Sequence, residues 1–215
     1  MRFSAIDIRN LKQLPIDMLD KNGILKLFPA SNYDEFDRDS LRVWCNINHR
    51  YGLPTVETVE WLKNRITGRK TIEIGSGAGD LAHYLNIPAT DNRLQEKPEI
   101  KAYYQLMGQV PITYPDWVEK LEAEQAIAVY KPECVVASWV TQWIDPNLPY
   151  PEEGGSVFGI REDKIVEAGY TYILIGNYNT HRNKKIMQIP HEEYRLPFLR
   201  SRNVDGEDAI YIWNP

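Results

Sequence analysis

Between Lys70 and Asn92 the chain reads KTIEIGSGAGDLAHYLNIPATDN, and its candidate chemistry is two acids flanking three glycines. Glu73 stands two residues before Gly75-Ser76-Gly77-Ala78-Gly79, and Asp91 follows the next apolar run. Glycines at that spacing allow a tight turn whose backbone approaches a ligand closely. The flanking carboxylates add hydrogen-bond acceptors and negative charge. A dinucleotide site asks for G-x-G-x-x-G, with a pyrophosphate at the helix N-terminus. The third position of that pattern is Asp80, whose charge would oppose a phosphate. Polar candidates of a second kind lie later in the chain. Asn177, Tyr178, His181 and His191 follow an apolar run and could orient or accept a proton.

These groups need elements to hold them. Thr71-Ile72-Glu73-Ile74 is short, and of its residues only Glu73 is charged, as in a strand covered on both faces. Asp80 to Leu85 resumes as a helix, and Ile87 to Thr90 reads as a second strand. Val110 to Tyr114 reads as a weaker third strand, with Asp116 opening a helix that Pro132 ends. Cys134 to Val140 is the best candidate for a central parallel strand. A helix over residues 161–168 leads to a strand over Tyr170 to Ile175, and a last strand over Ala209 to Trp213 could run antiparallel. Thr55 caps a helix from Val56 to about Thr67, and a further helix is expected over Tyr33 to Asn48. Alternation of this kind predicts an open, mostly parallel, doubly wound α/β sheet over 55–215, preceded by an N-terminal helical extension over 1–54. Ligands of such sheets sit at the carboxyl ends of the strands. The residues expected to converge are therefore Gly75, Asp91 and Asn92, Tyr114 to Asp116, Ser138 to Gln142, and Gly176 to Tyr178, with the loop from Thr141 to Gly159 bordering the cleft.

Composition limits the partners. The chain has 215 residues, 25 basic against 30 acidic, for a formal charge of −5. A pervasive phosphate-binding surface is disfavoured, and nucleic acid with it. Two cysteines, Cys45 and Cys134, are too few for a disulfide framework or a zinc site of their own, and suit a reducing cytoplasm. No stretch approaches the roughly 18 apolar residues of a membrane span, and the start lacks the apolar core of a signal peptide. No metal site is expected.

An acid two residues before G-x-G-x-G, with a second acid after the next strand, resembles the class I S-adenosylmethionine-dependent methyltransferases, which share a Rossmann-like fold. The resemblance covers roughly Val56 to Ile175. It implies S-adenosylmethionine as cofactor: Glu73 anchors its amino-acid end, directly or through water. Gly75 and Gly77, with Ser76 between them, let backbone approach, and Asp91, with Asn92 beside it, takes the ribose hydroxyls. Tyr114 and Asp116 lie near adenine, and Ser138 and Trp139 line the methyl group and substrate. YGLPT at Tyr51 to Thr55, ASWVTQ at Ala137 to Gln142, GSVFG at Gly155 to Gly159, IGN at Ile175 to Asn177, and Pro190-His191 look like an uncharacterised bacterial subgroup of Rossmann-like proteins.

Departures narrow the substrate. Amino-methylating nucleic-acid enzymes of this class carry an acid or amide, two prolines and an aromatic residue where this chain has Ser138-Trp139-Val140-Thr141. Neither cysteine stands where a base-carbon methyltransferase keeps its nucleophile. The sequence therefore points to direct methyl transfer onto a small molecule or protein, with His181 or His191 as base and Asn177 or Tyr178 orienting it. Two alternatives remain open: a Rossmann-like binding protein without chemistry, and an NAD-dependent oxidoreductase whose ribose Asp91 would hold. Whether the extension caps the cleft or forms an oligomer surface is not decided by sequence.

Overall fold

Val135, Val136 and Ala137 offer water no polar side chain on either side, so the strand they form must be covered on both faces. The computed structural model describes residues 17–106, 109–147, 155–203 and 205–215. The strands are β1 (Thr71–Ile74), β2 (Ala89–Asp91), β3 (Glu119–Lys120), β4 (Cys134–Ser138), β5 (Gln142–Trp143), β6 (Gly155–Ser156), β7 (Thr171–Asn177), β8 (Glu192–Tyr194) and β9 (Asp208–Trp213). The helices are α1 (Ala30–Asp34), α2 (Arg38–Ile47), α3 (Val56–Ile66), α4 (Asp80–Leu85), α5 (Pro98–Leu106), α6 (Ala123–Tyr130), α7 (Glu162–Glu167) and α8 (Tyr178–His181).

Seven strands form one sheet in the order β3-β2-β1-β4-β7-β9-β8. Pairings from β3 through β7 are parallel, and β9 alone runs antiparallel, to β7 on one side and β8 on the other. The expected open, mostly parallel Rossmann-like α/β sheet is therefore the fold. Its strand order reverses between β1 and β4, the place where such sheets open a crevice. The inserted antiparallel strand separates it from the six-stranded 3-2-1-4-5-6 order of dinucleotide-binding sheets.

Alternation along the strands divides the core. Val135, Ala137, Tyr172, Leu174, Tyr211 and Trp213 pack against α6 and α7, while Cys134, Val136, Ile173, Ile175, Ile210 and Ile212 pack against α3 and α4. Glu73 lies on the second face, beneath α4. Thr55 caps α3 as expected, accepting from Thr58 N at 3.1 Å.

Two expected elements are different. The helix foreseen over Tyr33 to Asn48 is split, because Asp37 turns extended and caps α2 through Ser40 N at 2.9 Å. Val110 to Tyr114 forms no strand. Pro111 and Pro115 lack the N–H a ladder needs, Ile112 N donates to Gln95 Oε1 instead, and β3 comes later at Glu119–Lys120. Asp116 thus opens no helix, and α6 starts at Ala123 behind a Glu122–Gln125 capping box.

The extension has its own apolar cluster of Met18, Leu25, Tyr33, Phe36, Leu41, Cys45 and Leu53. It is tied to α4 by a buried ion pair, Arg50 Nε to Asp80 Oδ2 at 2.5 Å, with both side chains 8% exposed. Leu25 N donates to Asp80 Oδ1 at 2.9 Å, and Tyr84 Oη to Leu25 O at 2.8 Å. Among the described residues no helix is long and apolar enough to cross a membrane. Removing one partner of a buried pair leaves an uncompensated charge, so Arg50→Met should destabilise by about 3–5 kcal/mol. Urea unfolding measures this, and a loss under about 1 kcal/mol would show that the pair does not fasten the extension.

Candidate functional site

Gly75, Gly77 and Gly79 all take positive φ, of 58°, 57° and 77°. A Cβ at Gly75 would lie 2.6 Å from Val140 Cγ1, and one at Gly79 would strike the Trp117 ring. At Gly77 the space is open, with only Ile112 Cδ1 at 3.4 Å, so there the glycine admits a visitor rather than a neighbour. The turn forms the floor of a cleft of about 260 Å³ at the carboxyl ends of β1, β2 and β4. That volume approaches the lower end of the roughly 300–1,000 Å³ usual for small-molecule sites.

Each acid near the turn is bound to a different piece of chain. Glu73 is buried, and its Oε2 accepts Ala82 N at 3.0 Å, standing in for the missing side-chain cap of α4. Burial pushes its carboxyl up to about 8; the Ala82 hydrogen bond opposes this, and the charges of Asp80 and Asp91 add to it. Asp91 is also buried, accepting Gly77 N at 2.9 Å and Arg93 N at 2.7 Å through separate oxygens. Desolvation raises its carboxyl as well. Asp91 therefore also braces the turn. Asp80 is raised by burial and held down by Arg50. The charge read as opposing a phosphate is largely neutralised by that guanidinium.

Of the expected ligand residues, Glu73, Gly75, Ser76, Gly77, Asp91, Asn92, Tyr114, Ser138 and Trp139 line this one cleft. Asp116 does not: it is exposed on the turn after Pro115. Thr141, Ser156, Phe158 and Gly159 border the cleft, as read for that loop. Trp139 has φ 59°, a rare conformation for a bulky residue, at the end of the strand where the sheet reverses.

The four residues read as catalytic stand elsewhere. His181 is buried with its centroid 5.3 Å from the Trp139 ring centroid, its Nδ1 3.0 Å from Asn177 N, and its pKa lowered to about 3 by burial and the Lys184 charge. His191 stacks on Trp213 at 4.9 Å and bonds Ile189 O. Asn177 directs Nδ2 to Asp205 and Asp208, and Tyr178 lies under the Arg195 guanidinium. The loop after β7 carries them away from the crevice, since β9 rather than another crossover occupies that edge.

The histidine that lines the cleft is His49, beside Arg50, Tyr51, Gln95, Tyr104 and Glu122. None of these was singled out for a site role in the sequence, although YGLPT begins at Tyr51. His49 Nδ1 lies 2.9 Å from Val110 O, which makes it the donor and leaves Nε2 as the acceptor. Burial lowers its pKa, keeping the ring neutral.

No protein-family model matches the chain, and no curated protein matches it. A solved structure, that of Thermoplasma acidophilum 1320, aligns with 81% of this chain and 95% of its own, at 16% identity and TM-score 0.35. A likeness that distant carries no argument.

Between pH 4.5 and about 8, folded Glu73 holds a proton that the unfolded chain has released. Stability therefore falls as pH rises through that window. Glu73→Gln keeps an acceptor for Ala82 N and removes the titration. From pH 6 to pH 8 the melting temperature of the ligand-free parent should fall, and that of the variant should fall less. Identical pH dependence would assign the loss to another group.

Proposed function

We propose that the chain is an S-adenosylmethionine-dependent methyltransferase that transfers a methyl group directly to a small molecule or a protein side chain. The charge of the cleft wall carries this reading. Asp91 and Glu122 line it, Glu73 can give up its proton to a cation, and the lining's one guanidinium, Arg50, is already paired with Asp80. Such a wall favours a ligand bearing ammonium and sulfonium charge and opposes a pyrophosphate, which argues against the NAD reading.

The residues present fit that cofactor. Ser76 Oγ is buried at the turn with no hydrogen-bond partner among the described residues. The Asp91 carboxylate takes two backbone N–H groups and the Tyr114 hydroxyl, and keeps capacity for a ribose hydroxyl. Glu73 would face the ammonium group and ionise against it. Tyr114, Ile112 and Leu94 offer the apolar wall that adenine needs. Trp139 offers a ring to a cation, 6.5 Å between centroids from a Tyr51 ring that already carries the Arg202 guanidinium. Bound S-adenosylmethionine would supply a methyl group activated by its sulfonium. The chain's part would be to position the acceptor and to take its proton at His49 Nε2. No cysteine takes part: burial pushes the thiols of Cys45 and Cys134 to about 12 and 11.

Calorimetric titration should give a clear isotherm for S-adenosylhomocysteine and none for NAD. Binding of NAD alone would overturn the reading. Asp91→Ala should weaken S-adenosylhomocysteine at least tenfold, about 1.4 kcal/mol. It should also cost the fold about 1–3 kcal/mol through the orphaned Gly77 and Arg93 N–H groups. Lost stability with unchanged affinity would make Asp91 a brace only.

A further inference from the structure

A second cavity, of about 370 Å³, lies between the N-terminal extension and the segment that leads into β9. One side is apolar, with Tyr33, Phe36, Leu41 and Leu196, and the other carries Arg200, Ser201 and Asp208. Two features of the polar side are unexplained by the fold. Arg200 spends Nη1 on the carbonyls of Pro197 and Leu199 and Nη2 on Asp34 at 2.6 Å, while its Nε is buried with no partner among the described residues. Asp208 accepts Asn177 Nδ2 at 3.0 Å and Ser201 Oγ at 2.9 Å, both through Oδ1, leaving Oδ2 without a described hydrogen bond. Arg200 and Asp208, with Ser201, thus set opposite charges on a cavity whose other wall is hydrophobic.

The geometry points to this cavity as a binding site for a free amino acid with an apolar or aromatic side chain. Its carboxylate would meet Arg200 Nη2, which has one N–H beyond that given to Asp34, its ammonium Asp208 Oδ2, and its side chain Phe36 and Leu41. The charges lining the cavity match a zwitterion: Arg38 and Arg200 stand against Asp34 and Asp208. A narrow gap of about 20 Å³ shares Arg200 and Asp208 with this cavity and Gly52, Ser138 and Trp139 with the cleft. The inference does not depend on methyl transfer.

L-Phenylalanine is a suitable probe, titrated by calorimetry into the full chain. Phenylacetate lacks its ammonium group and phenethylamine its carboxylate. L-Phenylalanine should bind, with each analogue at least tenfold weaker, and Asp208→Asn, which keeps the shape and the Asn177 and Ser201 contacts, should weaken it at least tenfold. Absence of L-phenylalanine binding, equal binding of all three compounds, or unchanged affinity in a folded Asp208→Asn would overturn the inference. Should that variant fail to fold, the three ligands decide on the parent chain alone. S-adenosylhomocysteine titrated separately distinguishes the two readings, since either ligand can bind without the other.

Discussion

Three carboxylates taken out of water hold the Gly75–Gly79 turn, and the rest of the site depends on how each is satisfied. A buried carboxylate is tolerated only with hydrogen bonds or an opposite charge. Glu73 is bonded to the first turn of α4, Asp91 to the glycine backbone and Arg93, and Asp80 to Arg50 and Leu25 of the extension. The turn is thereby tied to α4, to the chain after β2 and to the extension. Because Glu73 keeps its proton beside Asp80 and Asp91 in the ligand-free cleft, a cationic guest would favour its ionised form.

This arrangement changes the meaning of the extension. Its apolar cluster is separate from the two faces of the sheet, yet Arg50 reaches the turn and residues 49–52 line the cleft. Gly52 shows how close the approach is: a Cβ there would stand 3.2 Å from Ser138 Oγ and 3.2 Å from Trp139 Cδ1. The segment that leads into α3 is also one wall of the site. On the other side of β4, the buried pair Lys184–Glu162 at 2.5 Å and the bond from Lys184 Nζ to Val140 O at 2.8 Å hold the strand end behind Trp139.

Much of this was legible in residues whose neighbours in sequence are their neighbours in space. The β1 turn, α4 and β2 are one continuous stretch, so Glu73, the glycines and Asp91 could be placed together from spacing alone. Thr55 and the apolar run of β4 are equally local signals. What was not legible depends on distant chain. Asp80 reads as a free charge until Arg50, 30 residues earlier, is seen to neutralise it. His181 reads as a base until the turn after β7 buries it behind Trp139. Asp208 received no role, because its importance comes from lying beside Arg200 and Asn177 across an antiparallel register.

The placement of β9 sets an order of events in folding. Among the described residues β8 has no sheet partner except β9, which is made later in the chain and must enter between β8 and β7. Until it does, β7 keeps an open hydrogen-bonding edge, and the places of Tyr211 and Trp213 in the core remain unfilled. Pairings between neighbours far apart in the chain close slowly, and an open edge is a template for pairing with another copy. When residues 208–213 enter, six register pairs with β7 close that edge and move the boundary of the sheet out to β8.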